Sequence, residues 1–180
     1  MIEIMLALLF VLTSLFADEV DGRKPLHNAV YYEDELLTRS LLKEGAAVDV
    51  ENAAGLTPLH MAIKKRDIKM AQILLDAGAD INAQDNRGNT ALILAVKKKN
   101  LELVKFVILA GADIDLANDD MITPLHQSAF TGTEKIVAFL LISGADSFVE
   151  NEGGYTPLDF AVARNNRAAE EELRVYREKK

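Results

Sequence analysis

Three histidines, several acid-rich turns and two lysine-rich triplets are the residues whose types could do chemistry in this sequence. His27, His60 and His126 each follow a Pro-Leu pair, and imidazole is a common metal ligand and proton carrier. Acid-rich stretches such as DIDLANDD carry the oxygen ligands that calcium prefers. The triplets in AIKKRD (62–67) and AVKKKN (95–100) could bind an anionic partner.

A 33-residue period positions all of these residues. Internal repeats indicate an architecture in which each copy is one supersecondary unit. Five versions of one motif begin at Lys24, Thr57, Thr90, Thr123 and Thr156: KPLHNA, TPLHMA, TALILA, TPLHQS and TPLDFA. A glycine before an alanine keeps the same period in the second half of the first four copies, at Gly45, Gly78, Gly111 and Gly144.

The residue pattern within each copy predicts two short antiparallel helices and a projecting turn. Thr57 can cap a first helix, and Pro58 fits the first helical position, where a missing N–H costs nothing. Apolar residues at helical spacing follow within 59–63 and again within 68–75, and Gly78 can end the second helix in a left-handed conformation. One unit cannot bury both apolar stripes, so neighbouring units must stack.

The Thr-Pro-Leu-His start, the Gly-Ala-Asp after the second helix and the period itself resemble the ankyrin repeat over about residues 19–178. The resemblance implies an all-α repeat solenoid of stacked helix-turn-helix units with projecting β-hairpin-like turns. We expect one ankyrin-repeat domain over 18–180. Its five repeats are approximately 19–51, 52–84, 85–117, 118–150 and 151–180. The resemblance also implies that the histidines form structural hydrogen bonds.

Neither a metal site nor an active site is expected. Stacked helices lie about 8–10 Å apart, whereas zinc ligands lie about 2 Å from the ion, so equivalent histidines in adjacent repeats cannot share one ion. The acidic turns lack the spacing and the closing glutamate of a calcium loop. No phosphate-binding glycine loop, nucleophile elbow or Ser/His/Asp arrangement is present. We therefore predict a protein that is not an enzyme and that needs no cofactor.

Composition restricts the partners. About half of the 180 residues are apolar, which predicts a folded protein, and the formal net charge of −8 argues against nucleic acid. The absence of cysteine excludes disulfides and thiolate metal sites. We expect a monomer whose partner is another protein.

The N-terminus is different in kind. MIEIMLALLFVLTSLFA is shorter than the ~20 apolar residues of a membrane-spanning helix and suits a secretory signal peptide over 1–17, with Ala17 at the cleavage site. This interpretation places the protein in the periplasm or otherwise outside the cytoplasm. If the signal is cleaved, we expect no stable membrane insertion. Two alternatives stay open: an uncleaved N-terminal segment that tethers the protein to the inner membrane, and a helix packed on the domain.

The resemblance implies that partners bind at the hairpin tips and on the concave face formed by the first helices. Carried onto this sequence, those positions give twelve candidate partner-binding residues: Tyr31, Tyr32, Leu56, Lys64, Lys65, Asn89, Lys97, Lys98, Met121, Ile122, Phe130 and Tyr155. Met121 departs from the pattern, because the other copies have glycine there. The substitution at Met121 indicates either a locally altered loop or an apolar site, formed with Ile122, that contacts a partner.

The basic triplets fall at the ends of two successive first helices and predict a strip of six cations flanked by aromatic residues. A lysine at a helix C-terminus gains ~0.3–1 kcal/mol from the helix dipole, so the strip needs no partner to exist. It is either a contact surface or a solvated strip that compensates the helix dipoles. The dipole does not explain why the other three copies lack lysines at the same place, and a surface patterned in this way is typical of a specific binder.

Three functions follow from these observations. The first is an exported, non-enzymatic protein-binding module. The second is an immunity protein that neutralises a basic toxin or hydrolase, suggested by small size, acidity and export. The third, by family analogy alone, is an accessory protein to an oxidant-defence or haem enzyme.

Overall fold

The computed structural model of the protein describes residues 22–131 and 133–179. The predicted signal peptide over 1–17 lies outside these residues. Within them, no helix has the length and apolar character needed to cross a membrane.

Ten helices, and no strand, form the described part of the chain. They are α1 Pro25–Tyr31, α2 Glu35–Lys43, α3 Pro58–Lys65, α4 Ile68–Asp76, α5 Ala91–Lys97, α6 Leu101–Leu109, α7 Pro124–Thr131, α8 Glu134–Ile142, α9 Pro157–Ala163 and α10 Arg167–Glu178. Odd-numbered helices are the predicted first helices, and even-numbered helices are the predicted second helices. The expected fold class, an all-α repeat solenoid, is confirmed.

The chain divides into two compact units between Asp80 and Ile81. In the first unit α1 packs against α2 and α3, and α3 packs against α4. In the second unit α5, α7 and α9 form one row, and α6, α8 and α10 form another. Aliphatic side chains such as Leu125 and Leu140 are fully buried between the rows. Burial of such a side chain stabilises the fold by about 1.5–3 kcal/mol.

Polar side chains begin the helices as the sequence predicts. The Thr57 hydroxyl accepts from the backbone N–H of His60 at 3.4 Å, and Pro58 occupies the first turn of α3. Asp67 and Asn100 accept from the third N–H of α4 and α6, at 2.9 and 3.1 Å. These caps satisfy N–H groups that have no partner inside the helix.

Buried histidines join the first helices α1 and α7 to the turns that follow them. Nδ1 of His126 accepts from the backbone N–H of Thr123 at 3.3 Å, which leaves Nε2 to donate to the Tyr155 carbonyl at 2.9 Å. Burial lowers the pKa of His126, so the neutral ring is favoured. His27 donates to the Leu56 carbonyl at 2.8 Å in the first unit. The expected structural role of these rings is confirmed.

One side chain organises each projecting turn. Oδ1 of Asn52 accepts from the N–H groups two and four residues later, at 2.9 and 3.0 Å, and Asp85, Asn118 and Asn151 do the same. An Asx turn of this kind holds the tip without a β-ladder.

A second set of acceptors joins consecutive repeats. The Asp49 carboxylate accepts from the backbone N–H of Asp80 at 3.1 Å in the first unit. In the second unit Asn82 accepts from Asp113 at 2.8 Å, and Asp115 accepts from Asp146 at 3.0 Å. Since the donor is always the backbone of the next repeat, this link needs no particular side chain there.

Met121 adopts the conformation that glycine has in the other turns. Its φ is +56°, compared with +71° at Gly55 and +69° at Gly88, and its N–H donates to the Asn118 carbonyl at 2.9 Å. The turn therefore keeps its shape, and Met121 carries the strain of a left-handed residue with a Cβ, about 1–2 kcal/mol.

The variant Met121→Gly should raise the free energy of unfolding by about 0.5–1 kcal/mol, because relief of strain exceeds the extra entropy of glycine in the unfolded chain. Gly88→Ala is the opposite case, since a Cβ there would lie 2.6 Å from the Asp119 nitrogen, and it should destabilise the protein. Urea denaturation measures both. A loss of stability in Met121→Gly would show that the turn is not strained.

Candidate partner-binding surface

The two basic triplets lie at the C-terminal ends of two first helices. Each closes a first helix, and its last cation adopts a left-handed conformation, with φ of +63° at Arg66 and +55° at Lys99. The next residue, Asp67 or Asn100, caps the following helix. Lys64 and Lys65 belong to the first compact unit, and Lys97 and Lys98 belong to the second.

An aromatic and cationic cluster lies at the end of α1 in the first unit. Two cations lie over the Tyr31 ring: the Arg23 guanidinium carbon is 4.5 Å and the Lys65 ammonium 4.8 Å from its centroid. Tyr32 meets Tyr31 edge to face at 5.2 Å. The Lys65 ammonium also donates to the Tyr31 carbonyl at 2.5 Å and pairs with Glu33 at 2.9 Å. Both tyrosine rings remain exposed.

A shallow groove of about 190 Å³ lies beside α9 in the second unit. Its lining consists of Phe130, Tyr155, Asp159, Phe160, Ala163 and Arg164. Phe160 contacts the rings of His126 and Phe130 edge to face, at centroid distances of 5.2 and 6.2 Å. The Arg164 guanidinium lies over Phe130 at 3.9 Å. These ring contacts hold the groove in one geometry.

Asp159 gives the groove a fixed negative charge. Its Oδ2 accepts from the hydroxyl and the backbone N–H of Thr156, at 2.7 and 2.8 Å, and these bonds lower the pKa of its carboxyl. The Arg177 charge lowers that pKa further. Asp159 is therefore ionised at neutral pH and already has local partners.

Lys97 belongs to a polar network and is not simply solvated. Its ammonium donates to Oδ1 of Asn89 at 2.6 Å, and Nδ2 of Asn89 donates to Asp85 at 3.0 Å. Although Lys97 as a residue is exposed, Asn89 is only 4% exposed. Partial burial lowers the pKa of Lys97, and the Asp85 carboxylate opposes that shift.

Lys64 occupies the same place in the preceding repeat but has different surroundings. The residue equivalent to Asn89 is Leu56, whose side chain offers no acceptor. Lys64 is exposed, and no described residue forms a hydrogen bond or ion pair with it. Lys98 is half-buried. Four lysines that look alike in the sequence therefore have four different environments.

The candidate tip residues differ in exposure. Tyr155 is 58% and Met121 50% exposed, whereas Leu56 and Ile122 are half-buried. Asn89 points into the network with Lys97. Among the candidate tip residues, Tyr155 and Met121 are therefore the most accessible.

Sequence reasoning missed how the aromatic and cationic residues pair. Tyr31 meets Lys65, and Phe130 meets Arg164, so the stacking partner is 34 residues away and not 33. A search for aromatic residues followed by a cation one period and one residue later would have found both pairs. It would also have marked Arg164 as part of the site.

The described residues contain no group of three or more histidines and acids that could hold a metal ion. A family model described as ankyrin repeats (3 copies) matches residues 2–85, 26–118 and 92–174. The chain belongs to the ankyrin-repeat family. No curated protein matches the sequence. Ankyrin repeats are in general protein–protein interaction modules and typically non-enzymatic, so the aromatic and cationic clusters are candidate contact surfaces.

The network around Lys97 predicts unequal effects of two matched substitutions. Lys97→Met removes the donor to Asn89 but keeps the apolar stem, and should lower the free energy of unfolding by about 0.5–1.5 kcal/mol. Lys64→Met, its equivalent without a partner, should change it by less than about 0.5 kcal/mol. Urea denaturation followed by circular dichroism checks both values. Equal losses would mean that the Asn89 contact contributes nothing.

Proposed function

We propose that this ankyrin-repeat chain is an exported, non-enzymatic module that binds a protein partner through the ends of its first helices and its hairpin tips. The observation that carries the proposal is the pair of exposed aromatic and cationic clusters, one at Tyr31 and Tyr32 and one at Phe130 and Tyr155. Each occupies the end of a first helix or the tip beside it.

The composition of these clusters supports binding. Tyrosine and arginine are enriched among residues that dominate binding energy, and their rigid rings lose little entropy on association. Here ring–ring and ring–cation contacts fix the side chains in advance, which reduces the cost of ordering them. Exposed tyrosines that contact cations do not increase solubility, so solubility alone does not explain these clusters.

The size of the groove supports a macromolecular partner. Small-molecule sites usually enclose about 300–1,000 Å³, whereas the groove beside α9 has about 190 Å³ and is open. Such a groove accommodates a single side chain of a partner.

Site-specific photo-crosslinking in cells of the source organism tests this surface. A benzophenone amino acid at position Tyr32 or Tyr155 should form an adduct of one reproducible mass. The same group at Leu109 or Ile142, on second helices, should not, although these residues are 84% and 83% exposed. Comparing the two sets of positions therefore distinguishes a residue that lies next to a partner from one that is only exposed to solvent.

Two outcomes would contradict the proposed surface: adducts of equal yield from Leu109 and Tyr155, or none from any position on the first helices and tips. The second outcome must be accompanied by normal protein levels, measured on the same gel.

Export rests on residues 1–17 and has its own test. If the apolar segment is a cleaved signal peptide, the protein recovered from outside the cytoplasm should begin at Asp18, with the sequence DEVDGRK. N-terminal sequencing and the intact mass measure this directly. A full-length chain in the cytoplasmic fraction would remove export from the proposal and leave the binding surface untouched.

A further inference from the structure

The chain uses one aromatic–cation arrangement in both compact units. In the first unit the Lys65 ammonium lies over Tyr31, and in the second the Arg164 guanidinium lies over Phe130. Each aromatic residue ends or nearly ends a first helix, and each cation comes 34 residues later. The two pairs can therefore be compared directly.

The pairs differ in how the positive charge is compensated. Lys65 forms an ion pair with Glu33 at 2.9 Å. No carboxylate of residues 22–131 and 133–179 pairs with Arg164. In the sequence, the residue three periods after Glu33 is Gly132, which has no side chain. The acid present in the first pair is thus absent from the second.

Other charges of the second unit do not replace that acid. Asp159, the acid of the groove, accepts two hydrogen bonds from Thr156 and interacts with Arg177. Arg164 therefore keeps a charge that a carboxylate from outside can compensate, although the ionised Asp159 lines the same groove.

We propose that the groove beside α9 binds a segment of a partner protein in which an Asp or Glu side chain pairs with Arg164 and a nearby aromatic or large aliphatic side chain enters the groove. The partner's carboxylate compensates the charge of Arg164, as Glu33 compensates the charge of Lys65. This inference rests on the proposed protein-binding function and names the chemistry of the partner.

The guanidinium is prepared for this role. Contact with the Phe130 ring, 3.9 Å from the guanidinium carbon, restrains the group, and the N–H donors of a guanidinium can bind a carboxylate in a bidentate fashion. Arg164 lies just after α9, so it is anchored to a helix that itself packs against α7 and α10. A preorganised donor loses less entropy on binding than a mobile lysine would.

A side-chain carboxylate fits better than the carboxylate of a chain terminus. Capture of a terminus uses a nest of unpaired backbone N–H groups. The backbone N–H of Arg164 already donates to the Phe160 carbonyl at 3.2 Å, as expected at a helix end. The groove therefore offers the Arg164 side chain, and not its backbone, to an acid.

A random dodecapeptide library displayed on phage, selected against the full 180-residue chain, provides the probe. The enriched peptides should share an internal Asp or Glu close to an aromatic or large aliphatic residue. The strongest peptide, synthesised with its C-terminus amidated, is then titrated calorimetrically against variants whose folding is checked by urea denaturation.

Arg164→Glu should weaken binding of that peptide about tenfold or more, and Phe130→Ala should weaken it by a similar factor. Arg39→Glu carries the same charge change on an exposed residue of α2 that has no ion pair among the described residues, and should leave the affinity within about twofold. A peptide with Lys in place of its acid should bind Arg164→Glu better than it binds the wild type.

Three results would overturn the inference: a consensus without an acid, binding that is lost on amidation of the C-terminus, or equal effects of Arg164→Glu and Arg39→Glu. If peptides of another consensus still depend on Phe130 or Tyr155, the protein-binding surface stands and only the acidic partner is wrong. If no peptide depends on either aromatic residue, the surface itself is wrong.

Discussion

The hydrogen bond from a buried imidazole to the carbonyl of the next hairpin is the contact on which the rest of the surface depends. His126 joins the start of α7 to the Tyr155 carbonyl, and its ring also contacts Phe160. This neutral side chain therefore connects a first helix, the following tip and the Phe160 ring that lines the groove. A loop held only by its ends would not keep Tyr155 and Phe160 in register, because exposed turns are otherwise the most mobile parts of a repeat.

Local backbone chemistry explains why much of the fold could be predicted. Thr57, Pro58 and Gly78 act through caps and left-handed φ values, which depend on a few neighbouring residues and recur with the period. The turn at Met121 was harder, since the residue type alone allows a strained or a reshaped loop. Its observed φ shows that the Asx turn from Asn118 overrides the preference of methionine. The signal peptide over 1–17 stays a prediction.

The lysines show where prediction from sequence ends. Lys64 and Lys97 are equivalent in the repeat and identical in type, yet only Lys97 reaches a polar network. The difference lies eight residues earlier, at Leu56 and Asn89, and it appears only once the tip is folded back on its helix. The charge pattern within one repeat therefore identifies which positions are cationic. It does not show which of those cations form hydrogen bonds or ion pairs inside the folded protein.

The offset of 34 residues between stacked rings and cations has a consequence for how such a chain can diversify. The links through Asp49, Asn82 and Asp115 contact only the backbone of the next repeat, so a duplicated or exchanged repeat would still stack. A ring and its cation belong to different repeats, and the same exchange would separate Phe130 from Arg164. Recombination between repeats would then preserve the scaffold while erasing the recognition surface, so the order of the repeats, and not only their content, carries the binding information.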